Sequence, residues 1–108
     1  MQTEEIVNGD NLFNEVAMFT TFISPLSSLS SGNNMFNGCN LNEVSVENIL
    51  NTIPTYTSGE HVLTMTISSK SVDKFREITG CGEIVTDSIS VSYKGWTIFV
   101  TVATIVAT

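Results

Sequence analysis

The stretch VSYKGWTIFVTV, Val91 to Val102, decides how the rest of the chain is read. Two alternating apolar runs meet at Lys94-Gly95, and a two-residue loop at that point folds them into a β-hairpin. The loop fixes the register. Tyr93 lies opposite Trp96, Val91 opposite Ile98 and Ile89 opposite Val100, and these apolar residues all share one face. The reverse face pairs Ser92 with Thr97, Ser90 with Phe99, Ser88 with Thr101 and Thr86 with Ala103. That face is polar, with small side chains around one exposed phenylalanine, so it is either wet or open to a partner.

Working outward, the two strands are expected over residues 84–93 and 96–107. Before them, HVLTMTIS alternates, with Leu63, Met65 and Ile67 on one side, and reads as a third strand. SSKSVDKFREITG reads as a short helix with Val72, Phe75 and Ile78 inward and Gly80 at its left-handed C-terminus. A helix over 41–53 has Leu41, Val46, Ile49, Leu50 and Ile53 as its apolar side; Asn40 with Glu43, or Ser45, serves as its cap. Leu12, Phe13, Val16, Phe19, Phe22 and Ile23 recur at three- and four-residue spacing, which predicts a further helix from Asp10 to Ser24, ended by Pro25. Residues 1–9 are expected as a loose arm, and the Ser/Asn/Gly-rich stretch 26–40 as a long loop. No internal repeat is expected.

The expected fold class is α+β. Two N-terminal amphipathic helices pack on a small three-stranded antiparallel or mixed sheet, in the order strand-helix-strand-strand, ending in the hairpin. The last strand lies in the middle, antiparallel to both neighbours. A chain of 108 residues holds one such domain, 1–108, around one core.

Charge narrows the function. Charged residues are 14% of the chain, and the formal balance is -7 with only Lys70, Lys74, Arg76 and Lys94 positive. Gripping a phosphate backbone needs several cations on one surface, so direct nucleic-acid binding is not expected. The acidic start MQTEEIVNGD does not read as a signal peptide, and WTIFVTVATIVA falls short of the roughly 18 apolar residues of a spanning helix. No membrane contact and a cytoplasmic location are the expectation.

Chemistry-bearing groups are scarce. His61 is the single histidine, and it is expected at the surface where a strand starts. Cys39 lies in a Gly/Asn-rich stretch ahead of a helix start, and Cys81 follows a helix C-terminus, where the dipole disfavours a thiolate. Neither cysteine belongs to a motif that would orient it against His61, so a Cys/His enzyme is the remote alternative. Zinc and calcium spacings are absent, and GCGE follows a helix instead of opening one, so no catalytic residue, metal or cofactor is expected.

Acidic pairs carry the sharper expectation. Glu43 and Glu47, and Asp73 and Glu77, each share a helical face, and Glu83 and Asp87 share one side of a strand. Gathered together, they would imitate a phosphate track and block a nucleic-acid-handling enzyme; scattered, they only solubilise the domain. The expected function is therefore a non-catalytic protein-protein interaction module, a small acidic inhibitor or accessory factor. Glu43, Glu47, Asp73, Glu77, Glu83, Asp87, Phe99 and Thr101 are its candidate contacts. The alternative is a self-assembling subunit that uses its Ser/Thr face or an edge strand, because no lysine interrupts 61–69 or 83–93.

Overall fold

A computed structural model of the chain describes residues 5–82 and 88–103. It is an α+β fold with a four-stranded mixed sheet and two α-helices. The hairpin forms as its sequence requires. Strands β3 (Ser88–Tyr93) and β4 (Trp96–Val102) pair antiparallel, with Tyr93 on Trp96, Val91 on Ile98 and Ile89 on Val100. Lys94 and Gly95 turn the chain at φ 54° and 84°, the doubly positive geometry that matches strand twist. Ser92, Ser90 and Ser88 face Thr97, Phe99 and Thr101 on the other side. Thr86 lies outside the described residues.

Two further strands complete the sheet, β1 (Gly32–Leu41) and β2 (Val62–Ile67), in the order β1-β2-β4-β3. The last strand does lie between β2 and β3, but it runs parallel to β2, with Leu63 on Ile98 and Met65 on Val100. The expectation of an antiparallel neighbour on both sides is corrected accordingly. β1 also runs parallel to β2. Each parallel step needs a crossover, which helix α1 (Glu43–Thr52) supplies between β1 and β2, and helix α2 (Val72–Thr79) together with β3 supplies between β2 and β4.

The largest departures lie before residue 42. The stretch expected as a loop, 26–40, contains most of β1, whose Met35, Phe36 and Leu41 are fully buried. The stretch expected as a helix, 10–24, is a succession of turns. Its apolar residues satisfy themselves differently: Phe13, Phe19 and Phe22 gather on Phe36 with ring centroids 5.5, 6.4 and 5.2 Å away. Every second N–H is taken by β1, or by Ser31 just before it, instead of by a carbonyl four residues back. Gly9, Asn11, Phe13 and Glu15 donate to the carbonyls of Ser31, Asn33, Met35 and Asn37 at 2.8, 2.9, 2.9 and 2.6 Å.

That ladder exposes a repeat. Asn8 bridges to Ser31, a shift of 23 residues, and at this shift NGDNLFNEV (8–16) lies on SGNNMFNGC (31–39). Gly9, Asn11, Phe13 and Asn14 are matched by Gly32, Asn34, Phe36 and Asn37. Backbone conformation repeats as well: Asn11 and Asn34 have φ 61° and 58°, and Glu15 and Gly38 have φ 61° and 78°. The glycines serve close approach in both copies. A Cβ on Gly9 would fall 2.7 Å from Met35 Sδ, and one on Gly32 would fall 2.8 Å from Leu63 Cδ1. The chain thus carries an internal repeat where none was expected.

Asp10 ties the two copies together. Its Oδ1 accepts from Ser31 Oγ at 2.6 Å and from the Asn33 N–H at 2.9 Å. The Ser31 bond foremost, with help from Asn33, holds its carboxyl below the ordinary value. A depressed folded pKa means the carboxylate stabilises above the unfolded value of about 3.9, and that this is lost as pH falls through the folded pKa. The Tm of wild type should therefore exceed that of Asp10→Ala at neutral pH, with the gap closing in acid. A gap independent of pH would refute the assignment.

Helix α1 begins at Asn42, whose Oδ1 accepts from the Ser45 N–H at 3.0 Å; neither Asn40, which lies in β1, nor Ser45 is the cap. Its C-terminus is closed from a distance. Lys94 Nζ donates to the carbonyls of Leu50, Asn51 and Ile53 at 2.8, 3.2 and 3.2 Å, so the hairpin turn caps the helix. Gly80 closes α2 at φ 71°, as expected. Val46, Ile49 and Leu50 of α1 and Phe75 of α2 join Trp96, Ile98 and Val100 in one core on the Trp96 face of the sheet.

Candidate functional site

The side of the sheet away from that core is built by strand alternation. Because β4 lies between β2 and β3 in known register, three rows cross the strands: Val62-Thr97-Ser92, Thr64-Phe99-Ser90 and Thr66-Thr101-Ser88. Rows of this kind stand roughly 7 Å apart along the strands, with neighbours about 4.8 Å apart across them. Thr97 and the three serines are exposed, Thr101 is half-buried, and Phe99 at the centre is 44% exposed. Thr66 is drawn inward, its Oγ1 accepting from the Gly38 N–H at 2.8 Å. The result is an uncharged surface of hydroxyl groups around one aromatic ring.

Its outer border is β3. The Thr97 N–H donates to the His61 carbonyl at 2.8 Å, so at this position β4 directs its main chain to β2. Alternation then turns Trp96 and Ile98 to β3, and leaves the main chain of Ser90 and Ser92 facing away from β4. Among the described residues no strand lies beyond them.

The acidic candidates divide. Glu43, Glu47 and Glu77 are brought around Lys74 by the packing of α1 on α2, whereas Asp73 pairs with Arg76 within α2. Lys74 Nζ lies 3.4 Å from Glu47 and 4.0 Å from Glu77, and Arg76 Nη1 lies 3.9 Å from Asp73. Glu47, then Glu77, with a smaller contribution from Glu43, hold the Lys74 ammonium above the ordinary lysine value. Four carboxylates therefore share two cations. Glu83 and Asp87 lie outside the described residues.

The nucleophile candidates meet backbone carbonyls. Cys39 is in β1, not in a loop; it is buried, its Sγ donates to the Phe13 carbonyl at 3.2 Å, and burial pushes the thiol up. His61, directly before β2, is half-buried. Its ring stacks on Tyr56 with centroids 3.5 Å apart, and its nitrogens lie 2.8 Å from the Ser30 carbonyl and 3.2 Å from that of Ser58. This Tyr56–His61 stack, with Tyr56 Oη donating to the Leu29 carbonyl, pins 29–30 against the start of β2; alternation in sequence gives no hint of it. Among the described residues there is no group of three or more side chains placed to hold a metal ion, and no helix long and apolar enough to cross a membrane.

No family model, curated protein or solved structure matches the chain.

Proposed function

We propose that this chain is a non-catalytic protein-protein interaction module that docks through the Ser/Thr face centred on Phe99. The carrying observation is the half-exposed Phe99 set among exposed Ser and Thr residues on the sheet face. An aromatic in a ring of small polar groups is a ready anchor, able to bury area at low entropy cost while its neighbours exclude water. Residues 88–103 include no carboxylate, so this is where an otherwise acidic chain meets another protein with least repulsion. The polyanion-mimic version has weaker support, because its described carboxylates are shared with Lys74 and Arg76. Self-assembly has one observation of its own in the outward main chain of Ser90 and Ser92, which suits strand addition.

Affinity capture from the native cell, at low and high salt, tests this. Phe99→Ser should reduce the captured partner by about tenfold or more, the loss expected of an aromatic anchor. Capture by wild type should survive high salt. Capture unchanged by Phe99→Ser but abolished by salt, or by Glu43→Gln with Glu47→Gln, would instead establish charge mimicry.

A further inference from the structure

The N-terminal edge of the molecule offers a second, independent surface. Residues 8–16 cover β1 as one copy of the repeat covers the next, and the positions aligned by the 23-residue shift differ sharply in exposure. Leu12 aligns with Met35, which is 0% exposed, yet Leu12 is 39% exposed. Val16 aligns with Cys39, which is 2% exposed, yet Val16 is 46% exposed. Met35 and Cys39 are covered because the first copy lies on them, with Gly9 against the Met35 sulfur and the Phe13 carbonyl on the Cys39 thiol. Leu12 and Val16 are the same positions without the cover. Met18, at 91% exposed, aligns by the same shift with the fully buried Leu41.

The main chain repeats the pattern. The N–H groups of Gly9, Asn11, Phe13 and Glu15 point at β1. No peptide bond is cis. In a trans peptide the preceding carbonyl points the opposite way, so those of Asn8, Asp10, Leu12 and Asn14 face outward. Among the described residues nothing donates to them. Shifted by the repeat, they coincide with the Ser31, Asn33, Met35 and Asn37 carbonyls that accept the first copy. The alternate N–H groups are already used: those of Leu12, Asn14 and Val16 turn back to the carbonyls of Gly9, Asn11 and Phe13. The edge therefore accepts hydrogen bonds and donates few, which an ordinary β-strand, offering both, fits poorly.

We infer that this edge docks a further unit of the same 23-residue pattern, carrying glycine and asparagine at the positions of Gly9 and Asn11 and phenylalanine at that of Phe13. Such a unit supplies the missing N–H row, brings its glycine over Leu12 and its aromatic onto Phe13, and continues the contact already made between 8–16 and β1. Stacking of like units, each stabilised by its neighbour, is the general logic of repeat architectures.

The test is an in-frame tandem duplication of residues 8–30 inserted after Ser30, compared with an insert of the same composition in scrambled order. The duplicated chain should resist protease as the parent does, with the outer, N-terminal copy as well as the insert cleaved at least about tenfold more slowly than the scrambled insert. The amides of Asn11, Phe13 and Glu15 should be protected from exchange in both copies. An outer copy digested as fast as the scrambled insert overturns the inference. So does sedimentation showing the parent to be a dimer that Leu12→Asp converts to monomer, because the occupant would then be a whole second chain.

Discussion

Gly95→Ala should abolish the folded hairpin, lowering stability by about 4 kcal/mol or more and leaving little native protein. Two independent constraints meet at this residue. Its φ of 84° is a left-handed conformation that a Cβ strains, at a cost of about 1 kcal/mol or more. The larger effect is steric, because a Cβ built there lands on the Tyr56 carbonyl, a backbone group that cannot rotate away. The turn is held in place by the Tyr56 N–H donating to the Lys94 carbonyl at 2.8 Å, and Lys94 in turn caps α1. Displacing it therefore loosens the β3–β4 turn, the Tyr56–His61 stack and the helix end together. Far-ultraviolet circular dichroism and urea titration would measure the effect. Gly95→Ala within about 1 kcal/mol of wild type would show that the contact with Tyr56 is easily relaxed.

The hairpin was legible because every determinant is local. Turn, alternation and facing pairs all lie within 88–102, and a slip of one residue would have sent Trp96 and Ile98 to the solvent side. The direction of β2 relative to β4 was not, because hydrophobic alternation is the same for a strand read either way. The N-terminal segment misled for a related reason. Apolar residues three and four apart fit a helix, but here Phe13, Phe19 and Phe22 are brought onto Phe36 by turns at Asn11 and Glu15, whose positive φ no periodicity reveals. The repeat was faint because its halves continue differently. After Val16 come turns, a proline and serines, whereas after Cys39 comes a capped helix.

Legibility of the site follows the same line. Helical spacing puts Glu43 and Glu47 one turn apart on α1 and Asp73 and Glu77 one turn apart on α2, but Lys74 reaching Glu47 depends on α1 packing against α2, which spacing cannot supply. Phe99 stood out because it breaks a polar alternation inside a strand whose register was already fixed. Leu12 and Val16 were expected in a buried stripe, and their exposure acquires meaning only against Met35 and Cys39 one repeat later.

Phe36→Ala should cost about 3–5 kcal/mol, a large share of the stability of a domain this size. Phe36 is fully buried, registers with Met65 of β2, and is the residue on which Phe13, Phe19 and Phe22 converge. Its removal leaves a cavity between the first copy of the repeat and the sheet, so both lose their support. Phe13→Ala is the informative contrast. Phe13 occupies the same place in the outer copy but is only partly buried and has one neighbour unit instead of two. Where stability is a sum of unit and neighbour terms, its loss should release residues 8–16 while β2 and β4 keep their pairing. Trp96 is the chain's single tryptophan, so its fluorescence reports the sheet; amide exchange at Asn11 and Glu15 reports the outer copy. Phe36→Ala should lower the Trp96 urea midpoint strongly, whereas Phe13→Ala should speed exchange at Asn11 and Glu15 with a smaller change in that midpoint. Equal losses by both probes in both variants would mean that the two copies melt as one body and that the repeat has no energetic independence.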